Sequence, residues 1–275
     1  MHDLHSLPSI MIYSDNIRLQ GNHVFLGSDT SSTFRSSGKN FDITYGTGHV
    51  EGTIVSDNVV IAGLALNGHR FGVASLESQD FSDDTTKFDG LIGLAQKSLS
   101  NQGVPTPVEA LAQQGLISEA ITSYKISRVT DGLNDGEITF GGLDQSKFNP
   151  NTLVTFNNVN TQGFWEGDVS FSVNGRDLGL TGRTAILDTG TTLIIAPTAD
   201  AQAIHAKIPG SQSDGQGGYT IPCTNQVVVA LSFNNNVFSI NPVDLLFAPV
   251  DPNNLQGSCI SGISEGQIGG NNQWL

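Results

Sequence analysis

The amino-acid sequence predicts a mainly β protein with a few short helices. Apolar and polar residues alternate with the period of a half-buried strand at residues 41–45, 53–56, 137–140, 168–173 and 227–233. Turn pairs such as Asn67-Gly68 and Asn174-Gly175 lie between these segments, and the chain contains 32 Gly and 10 Pro. Only 14% of the residues are charged, so long solvated helices are not favoured.

Two windows predict helices, at residues 106–114 and 198–206. In the first, Thr106 is suited to cap the helix, Pro107 to occupy its first position and Gly115 to end it. The second window is similar in composition and ends before Pro209. A polar stretch at residues 144–152 contains Asn-Pro-Asn and is the best candidate for a join between two halves of the chain.

The charge excludes several classes of function. The formal net charge of −14 leaves no basic surface to neutralise nucleic-acid phosphates or to dock on an anionic membrane. No apolar stretch is long enough for a membrane span.

The hydrophobic content and the length predict a folded chain. Hydrophobic residues make up 37% of the chain, which argues against disorder. A length of 275 residues allows one large domain or two lobes.

The cysteines and the first residues bear on the compartment. The chain has two cysteines, Cys223 and Cys259. Few cysteines and few charges suit a secreted protein with one disulfide, and two buried free thiols are the alternative. Residues 1–5 have neither a basic leader nor an apolar run, so no secretory signal is visible in this sequence.

One segment carries the chemistry, at residues 185–193 (Ala-Ile-Leu-Asp-Thr-Gly-Thr-Thr-Leu). An apolar strand leads to Asp188, and a tight turn with Thr189, Gly190 and Thr191 follows. Backbone N–H groups and Thr hydroxyls in such a turn can hold the carboxylate ionised and oriented. The alternative is an ordinary strand and turn with a surface aspartate.

Together with other segments, this motif resembles the pepsin-like aspartic peptidases, in particular the fungal secreted, polyporopepsin-like type. Residues 43–48 (Ile-Thr-Tyr-Gly-Thr-Gly) are similar to the flap that closes over substrate. Residues 88–95 resemble the apolar segment behind the first catalytic loop, and residues 141–144 the turn near the end of the first lobe. Cys223 and Cys259 fall where the family has its second-lobe disulfide.

The resemblance implies a bilobal acid-protease fold and its mechanism. Residues 1–148 would form the lobe with the flap, and residues 149–275 the lobe with the second catalytic aspartate. Two aspartates share one proton and activate one water, so that one acts as base and the other as acid. Asp188 is the catalytic residue of this pair, supported by Thr189, Gly190 and Thr191.

The same resemblance implies which residues contact the substrate and where the protein is located. Tyr45, Gly46 and Thr47 would hold the backbone of an extended peptide or protein substrate, although a plain hairpin is the alternative. Leu91 either lines a substrate pocket or packs in the core. No metal or organic cofactor is implied, and we expect a monomer that is secreted or vacuolar.

The sequence departs from the family pattern at two places. Asp-Thr-Gly occurs once, at Asp188, and no counterpart precedes the flap. Asp29, in Asp-Thr-Ser-Ser, is rejected because Ser-Ser-Thr-Phe fits a family segment that follows the first catalytic loop. Asp15 is closer in placement but has no Gly turn after it. The apolar-Gly-Asp segment expected after Trp274 is also missing.

Three hypotheses follow from these departures. We favour an aspartic endopeptidase family member that is truncated at both ends, with both lobes incomplete and no activity as a monomer. The second hypothesis is a non-catalytic peptide-binding relative that keeps the flap and the cleft. The third is a pair of chains in which two copies of Asp188 form the catalytic dyad.

Overall fold

The structure is a computed structural model that describes residues 10–13, 24–45, 48–86, 88–270 and 272–275, with only the backbone described for residues 10–13. It is mainly β, as the sequence predicts. The strands of the first half are β1 (Ile10–Tyr13), β2 (Arg35–Thr44), β3 (His49–Ile61), β4 (Leu64–Glu77), β5 (Gly90–Ile92), β6 (Thr122–Lys125) and β7 (Glu137–Phe140).

The first half is built on a five-stranded sheet with the order β2-β3-β4-β1-β5. Alternation along β2 buries Phe41 and Ile43 and exposes Asp42 and Thr44, which gives the sheet one core face. The strands β2, β3 and β4 run antiparallel in sequence order, whereas β1 pairs parallel to β4 and antiparallel to β5. Strands β6 and β7 form a separate antiparallel hairpin.

The first predicted helix is present as α2 (Pro107–Gln113), after the short α1 (Gln79–Ser82). The hydroxyl of Thr106 accepts a hydrogen bond from the Glu109 N–H, and the Glu109 carboxylate accepts one from the Thr106 N–H, each at 3.1 Å. This capping box and Pro107 fix the helix start. Gly115 adopts a φ of +68°, which ends the helix where the sequence predicts.

The second half contains the remaining strands and α3 (Thr198–His205). Helix α3 begins where predicted, but Pro197 occupies the capping position and Thr198 is the first helical residue. The strands are β8 (Glu166–Val173), β9 (Arg176–Asp177), β10 (Arg183–Ile186), β11 (Ile194–Ala196), β12 (Gln212–Ser213), β13 (Tyr219–Pro222), β14 (Val229–Phe233), β15 (Asn236–Ser239), β16 (Leu246–Pro249), β17 (Ser258–Ser261), β18 (Ile263–Glu265) and β19 (Gln273–Trp274).

The main sheet of this half has the order β15-β14-β8-β10-β19, with β9 paired to β8. The second half also contains a separate four-stranded sheet (β12-β13-β17-β16) and the parallel strand pair β11-β18. The core includes Phe171 and Trp274, whose rings stack with centroids 3.8 Å apart. Cys223 and Cys259 form a disulfide, so the predicted bridge is confirmed.

The two halves pack their apolar residues separately. One core cluster draws its members from residues 156–263 and Trp274, and the other three from residues 25–140. Arg128 of the first half forms an ion pair with Asp244 of the second, at 3.0 Å. In the part of the chain that the structure describes, no helix is long and apolar enough to cross a bilayer.

Candidate functional site

Asp188 lies at the exposed end of a strand in the second half. Strand β10 ends at Ile186, which is buried, and Leu187 and Asp188 are exposed. The buried residues Ala185 and Ile186 anchor the strand, so the loop after it holds a defined position while its carboxylate faces solvent.

The loop itself holds the carboxylate of Asp188. The Gly190 N–H donates to one carboxylate oxygen at 2.8 Å, and the Thr191 hydroxyl donates to the other at 2.5 Å. A side chain at position 190 would place its Cβ 3.2 Å from the carboxylate, which is why glycine suits this turn. Both bonds fix the orientation of the carboxylate, and each oxygen keeps a lone pair for a water or substrate atom.

A second carboxylate, Glu166, lies beside this strand and is buried. It pairs with Ile186 across the β8–β10 ladder. Burial acts to raise the pKa of Glu166, but hydrogen bonds from Thr184, Asn160 and Gln273 together hold the pKa below its usual value. The Asn160 amide donates at 2.5 Å and the Gln273 amide at 2.8 Å, so this carboxylate serves to lock β8, β10 and β19 together.

Behind the strand, an ion pair connects β10 to α3. The Arg183 guanidinium donates from Nε and Nη2 to the two oxygens of Asp200, at 2.7 and 2.8 Å. Asp200 is fully buried and also accepts from the Trp274 indole at 3.0 Å. The hydrogen bond that Arg183 donates to Asp200 raises the pKa of Arg183. The strand that carries Asp188 is therefore fixed to both the helix and β19.

Trp165 joins the Asp188 loop to the first half of the chain. Its carbonyl oxygen accepts from the Leu187 N–H at 2.8 Å, next to Asp188. Its indole N–H donates to the carbonyl oxygen of Leu94, also at 2.8 Å. A second link runs from the Gln96 N–H to the carbonyl oxygen of Gly163, at 3.0 Å. The two halves thus meet beside the candidate catalytic loop.

The predicted flap is a hairpin whose base is described. Strands β2 and β3 pair as far as Thr44 and His49, and the Tyr45 N–H donates to the Gly48 carbonyl at 2.7 Å. The Tyr45 ring meets Phe81 of α1 edge to face, with centroids 5.1 Å apart. The predicted flap residues Gly46 and Thr47 lie outside the described residues.

The base of the flap is packed closely against α1. A Cβ at Gly48 would lie 2.5 Å from a ring carbon of Phe81 and 2.8 Å from the Ser78 hydroxyl, so only glycine fits there. The Ser78 hydroxyl accepts from the His49 N–H at 3.0 Å, and the Ser78 N–H donates to the His49 carbonyl at 2.9 Å. The chain is therefore anchored on the C-terminal side of the flap turn.

Glu77 is buried next to this anchor. It pairs with Val50 across the β3–β4 ladder and is only 2% exposed. Its two carboxylate oxygens have no hydrogen-bond partner among the described residues. Burial raises the pKa of Glu77 to about 7, so the neutral acid is favoured in mildly acidic solution.

Leu91 is half-buried on β5 and packs against the core cluster that contains Phe41, Ile43 and Phe81. Tyr45 contacts the same cluster, so the structure brings these two predicted residues to one apolar surface. Core packing and pocket lining are both compatible with this position.

The carboxylates considered for the first half have different environments. Asp29 lies in an exposed turn at residues 27–30, just before Ser31, which donates to Asp57 at 3.0 Å. Asp15 lies outside the described residues.

The strands next to these positions differ between the two halves. Strand β1 runs antiparallel to β5, whereas β10 runs parallel to β19, so the two strand pairs are not copies of one another. The described strands do not assign a partner carboxylate to Asp188.

Residues 9–275 match the family model for eukaryotic aspartyl protease. The chain belongs to the eukaryotic aspartyl protease family. The resemblance to pepsin-like peptidases and the mainly β, pepsin-like fold class are thereby confirmed.

Curated relatives of the family come from several fungi. The chain is 37% identical to the probable aspartic-type endopeptidase CTSD of Arthroderma benhamiae over 257 residues, which cover 93% of this chain and 48% of the relative. It is 32% identical to the aspartic-type endopeptidase ctsD of Aspergillus fumigatus over 92% of this chain and 52% of that protein. For rhizopuspepsin of Rhizopus chinensis the identity is 34%, over 86% and 59%. The chain thus spans roughly half to three-fifths of these relatives' length.

Sequence reasoning missed the residues that support the site from outside its loop. Trp165, Glu166 and Asp200 all form hydrogen bonds with the Asp188 strand, its loop or β19, with partners at least 17 positions away in the sequence. One signal was present in the sequence, because Trp165 is one of only two tryptophans and follows a Gly-Phe pair.

Proposed function

We propose that this chain carries the peptide-binding cleft and the second catalytic aspartate of an aspartic-type endopeptidase, and that the chain by itself does not hydrolyse peptide bonds. The observation that carries the proposal is the Asp188 loop, where Gly190 and Thr191 hold both carboxylate oxygens. The family match supports the reaction class.

The absence of turnover follows from the chemistry of paired carboxylates. Peptide hydrolysis needs one group to take a proton from water and another to protonate the substrate. Two neighbouring carboxyl groups divide these roles because like charges at short range separate their pKa values. Asp188 alone can orient and deprotonate water, and Asp-Thr-Gly occurs nowhere else in the sequence.

The cleft and the two lobes are part of the same proposal. We place the lobes at residues 1–148 and 149–275, and the strand pairs support this division, since each sheet formed by the described residues keeps to one half. An extended peptide would lie between the Asp188 loop and the hairpin that carries Tyr45, Gly46 and Thr47. The low content of Lys and Arg suits a secreted or vacuolar protein that works in acid.

Incubating the purified chain with a denatured protein at about pH 4 tests this function. We expect no cleavage above the level of an Asp188→Asn variant. Robust cleavage by the wild type that pepstatin blocks would contradict the claim of inactivity. In that case, Asp15→Asn and Asp29→Asn variants identify the second carboxylate, since loss of cleavage in one of them assigns it.

A second candidate function is peptide binding without turnover. The docking of Tyr45 on Phe81 favours it, because the hairpin base is formed independently of the catalytic loop. We expect a fluorescently labelled extended peptide to bind wild type and Asp188→Asn alike if this function holds. If none of a set of such peptides binds, the chain is not a non-catalytic peptide-binding protein. The cleavage assay does not depend on this result.

A paired-chain site is the remaining alternative. Two copies of Asp188 would require a dimer, so sedimentation velocity at the concentration of the cleavage assay tests it. We expect a monomer, and a dimer whose cleavage activity is lost in Asp188→Asn would contradict that expectation.

A further inference from the structure

The β2–β3 ladder places three potential metal ligands on one exposed face at the base of the flap. Asp42 pairs with Glu51, and Thr44 pairs with His49. Residues two apart on a strand share a face, so all four side chains lie on the same side of the hairpin. Asp42 and Glu51 are exposed and His49 is half-buried.

The imidazole of His49 lies between the two carboxylates. Its Nδ1 is 3.7 Å from an Asp42 oxygen, and its Nε2 is 3.1 Å from a Glu51 oxygen. One ligand atom from each of the three residues lies within 4.8 Å of the others. The Thr44 hydroxyl contacts Nδ1 at 3.1 Å and helps to orient the ring.

The charges of this cluster leave a role for a cation. Like charges directly opposite on neighbouring strands are destabilising. Asp42 and Glu51 form such a pair, and the imidazole of His49 is the basic group that contacts both of them among the described residues. One imidazole cannot balance the negative charges of two carboxylates, so a bound divalent cation would relieve their repulsion.

We propose that Asp42, His49 and Glu51 form a surface site for a borderline divalent cation such as Zn²⁺. One imidazole nitrogen and one oxygen from each carboxylate suit Zn²⁺, with water in the remaining position. Mg²⁺ and Ca²⁺ prefer oxygen ligands and are disfavoured by the imidazole. Small side-chain rotations bring the three ligand atoms to bonding distance, because the carboxylates are exposed.

The place of the site gives it a consequence for the flap. Asp42 lies three positions before Tyr45, and His49 directly follows Gly48, whose carbonyl closes the flap turn. A cation that bridges β2 and β3 here fixes the last ladder pair before the turn. We therefore expect bound Zn²⁺ to stabilise the pairing of β2 and β3 at this end of the ladder.

Isothermal titration of the full chain with ZnCl₂ at about pH 7 tests the site. We expect one Zn²⁺ to bind, with an affinity that falls at least about tenfold in His49→Gln and by a smaller factor in Asp42→Asn and Glu51→Gln. Circular dichroism checks that each variant is folded.

Two controls separate this site from other histidines and from general charge effects. Glu119→Gln removes an exposed carboxylate elsewhere and should leave the affinity unchanged. The double variant His2→Ala/His5→Ala removes the two histidines that lie three positions apart in the sequence, and it should also bind normally. Equal binding by wild type and folded His49→Gln, or loss of binding in the double variant alone, would overturn the proposal.

Discussion

The indole N–H of Trp165 donates to the carbonyl oxygen of Leu94 at 2.8 Å, across 71 positions of sequence. The carbonyl oxygen of Trp165 accepts from the Leu187 N–H at 2.8 Å. One residue therefore connects the loop of Asp188 to the segment that follows β5 in the other half. This contact fixes how the two halves approach each other at the candidate site.

Replacing Trp165 by Phe should destabilise the chain by about 1 kcal/mol. The variant removes the side-chain hydrogen bond to Leu94 and keeps the backbone hydrogen bond to Leu187. The expected loss of stability is therefore the net contribution of one hydrogen bond. Urea unfolding measures it. Trp274→Phe is the matched control and should cost more, since Trp274 is buried and bonds to Asp200. An equal or smaller loss for Trp274→Phe would contradict this ranking.

Arg183→Met should be among the most destabilising single changes in the second half. It leaves the fully buried carboxylate of Asp200 without its cation, and removal of one partner of a buried pair costs about 3–5 kcal/mol. Chemical denaturation measures the loss. Arg128→Met breaks the exposed pair with Asp244 and should have a much smaller effect. Comparable losses in the two variants would refute the argument from burial.

Glu77 should make the fold less stable as the pH rises. Its pKa is about 7 in the fold and 4.5 ordinarily, so the folded chain holds a proton that the unfolded chain has released. The resulting stabilisation is complete below about pH 4.5 and is lost by about pH 7, with a total of about 3 kcal/mol. Glu77→Gln mimics the neutral acid.

The Glu77→Gln variant should therefore match the wild type at about pH 4 and exceed its stability at about pH 7.5. Unfolding free energies at a series of pH values give the comparison. Glu119→Gln, which alters an exposed carboxylate, should follow the wild type throughout. Parallel pH profiles for wild type and Glu77→Gln would show that Glu77 does not titrate as described.

His69 should have the opposite effect over the same pH range. It is 4% exposed, its Nε2 has no partner among the described residues, and burial lowers the pKa of His69 to about 4. The neutral ring is favoured in the fold, so stability is present above the ordinary value of 6.5 and is lost as the pH falls toward 4. His69→Gln should flatten this decline between those values, as measured by urea unfolding, and an unchanged slope would contradict the assignment.

The disulfide should contribute substantially to the stability of the second half. Cys223 and Cys259 are 36 positions apart, and closing a loop of that size restricts the unfolded chain by about 4 kcal/mol in the chain-entropy model. Reduction should therefore lower the unfolding midpoint of the wild type. A Cys223→Ser/Cys259→Ser variant should show the lowered midpoint with or without reductant. A wild-type midpoint that reductant leaves unchanged would be the contrary result.

Several parts of this structure were predictable from local sequence. The alternating segments at residues 41–45, 53–56, 137–140 and 168–173 lie in or reach strands β2, β3, β7 and β8. The segment predicted at 227–233 is a strand from Val229 onward. Capping at Thr106 and the stop at Gly115 define α2 because these signals act within a few residues.

Other features could not be predicted because they depend on contacts between distant segments. The burial of Glu77 follows from its place on the core face of the sheet, which local alternation does not reveal. Asp42, His49 and Glu51 form a cluster only because the β2–β3 register pairs their strands in this alignment. A shift by one residue would place the partner side chains on opposite faces.

By itself, the sequence determined the mainly β class, the strand and turn that present Asp188, and the family. These depend on short-range patterns, on turn residues and on motifs that can be recognised in the amino-acid sequence alone. The tertiary structure alone decided which partners support that aspartate, through Trp165 to the first half and through Arg183 to the buried Asp200. The reason is that hydrogen bonds and ion pairs across tens of residues depend on sheet register and packing, which no local pattern encodes.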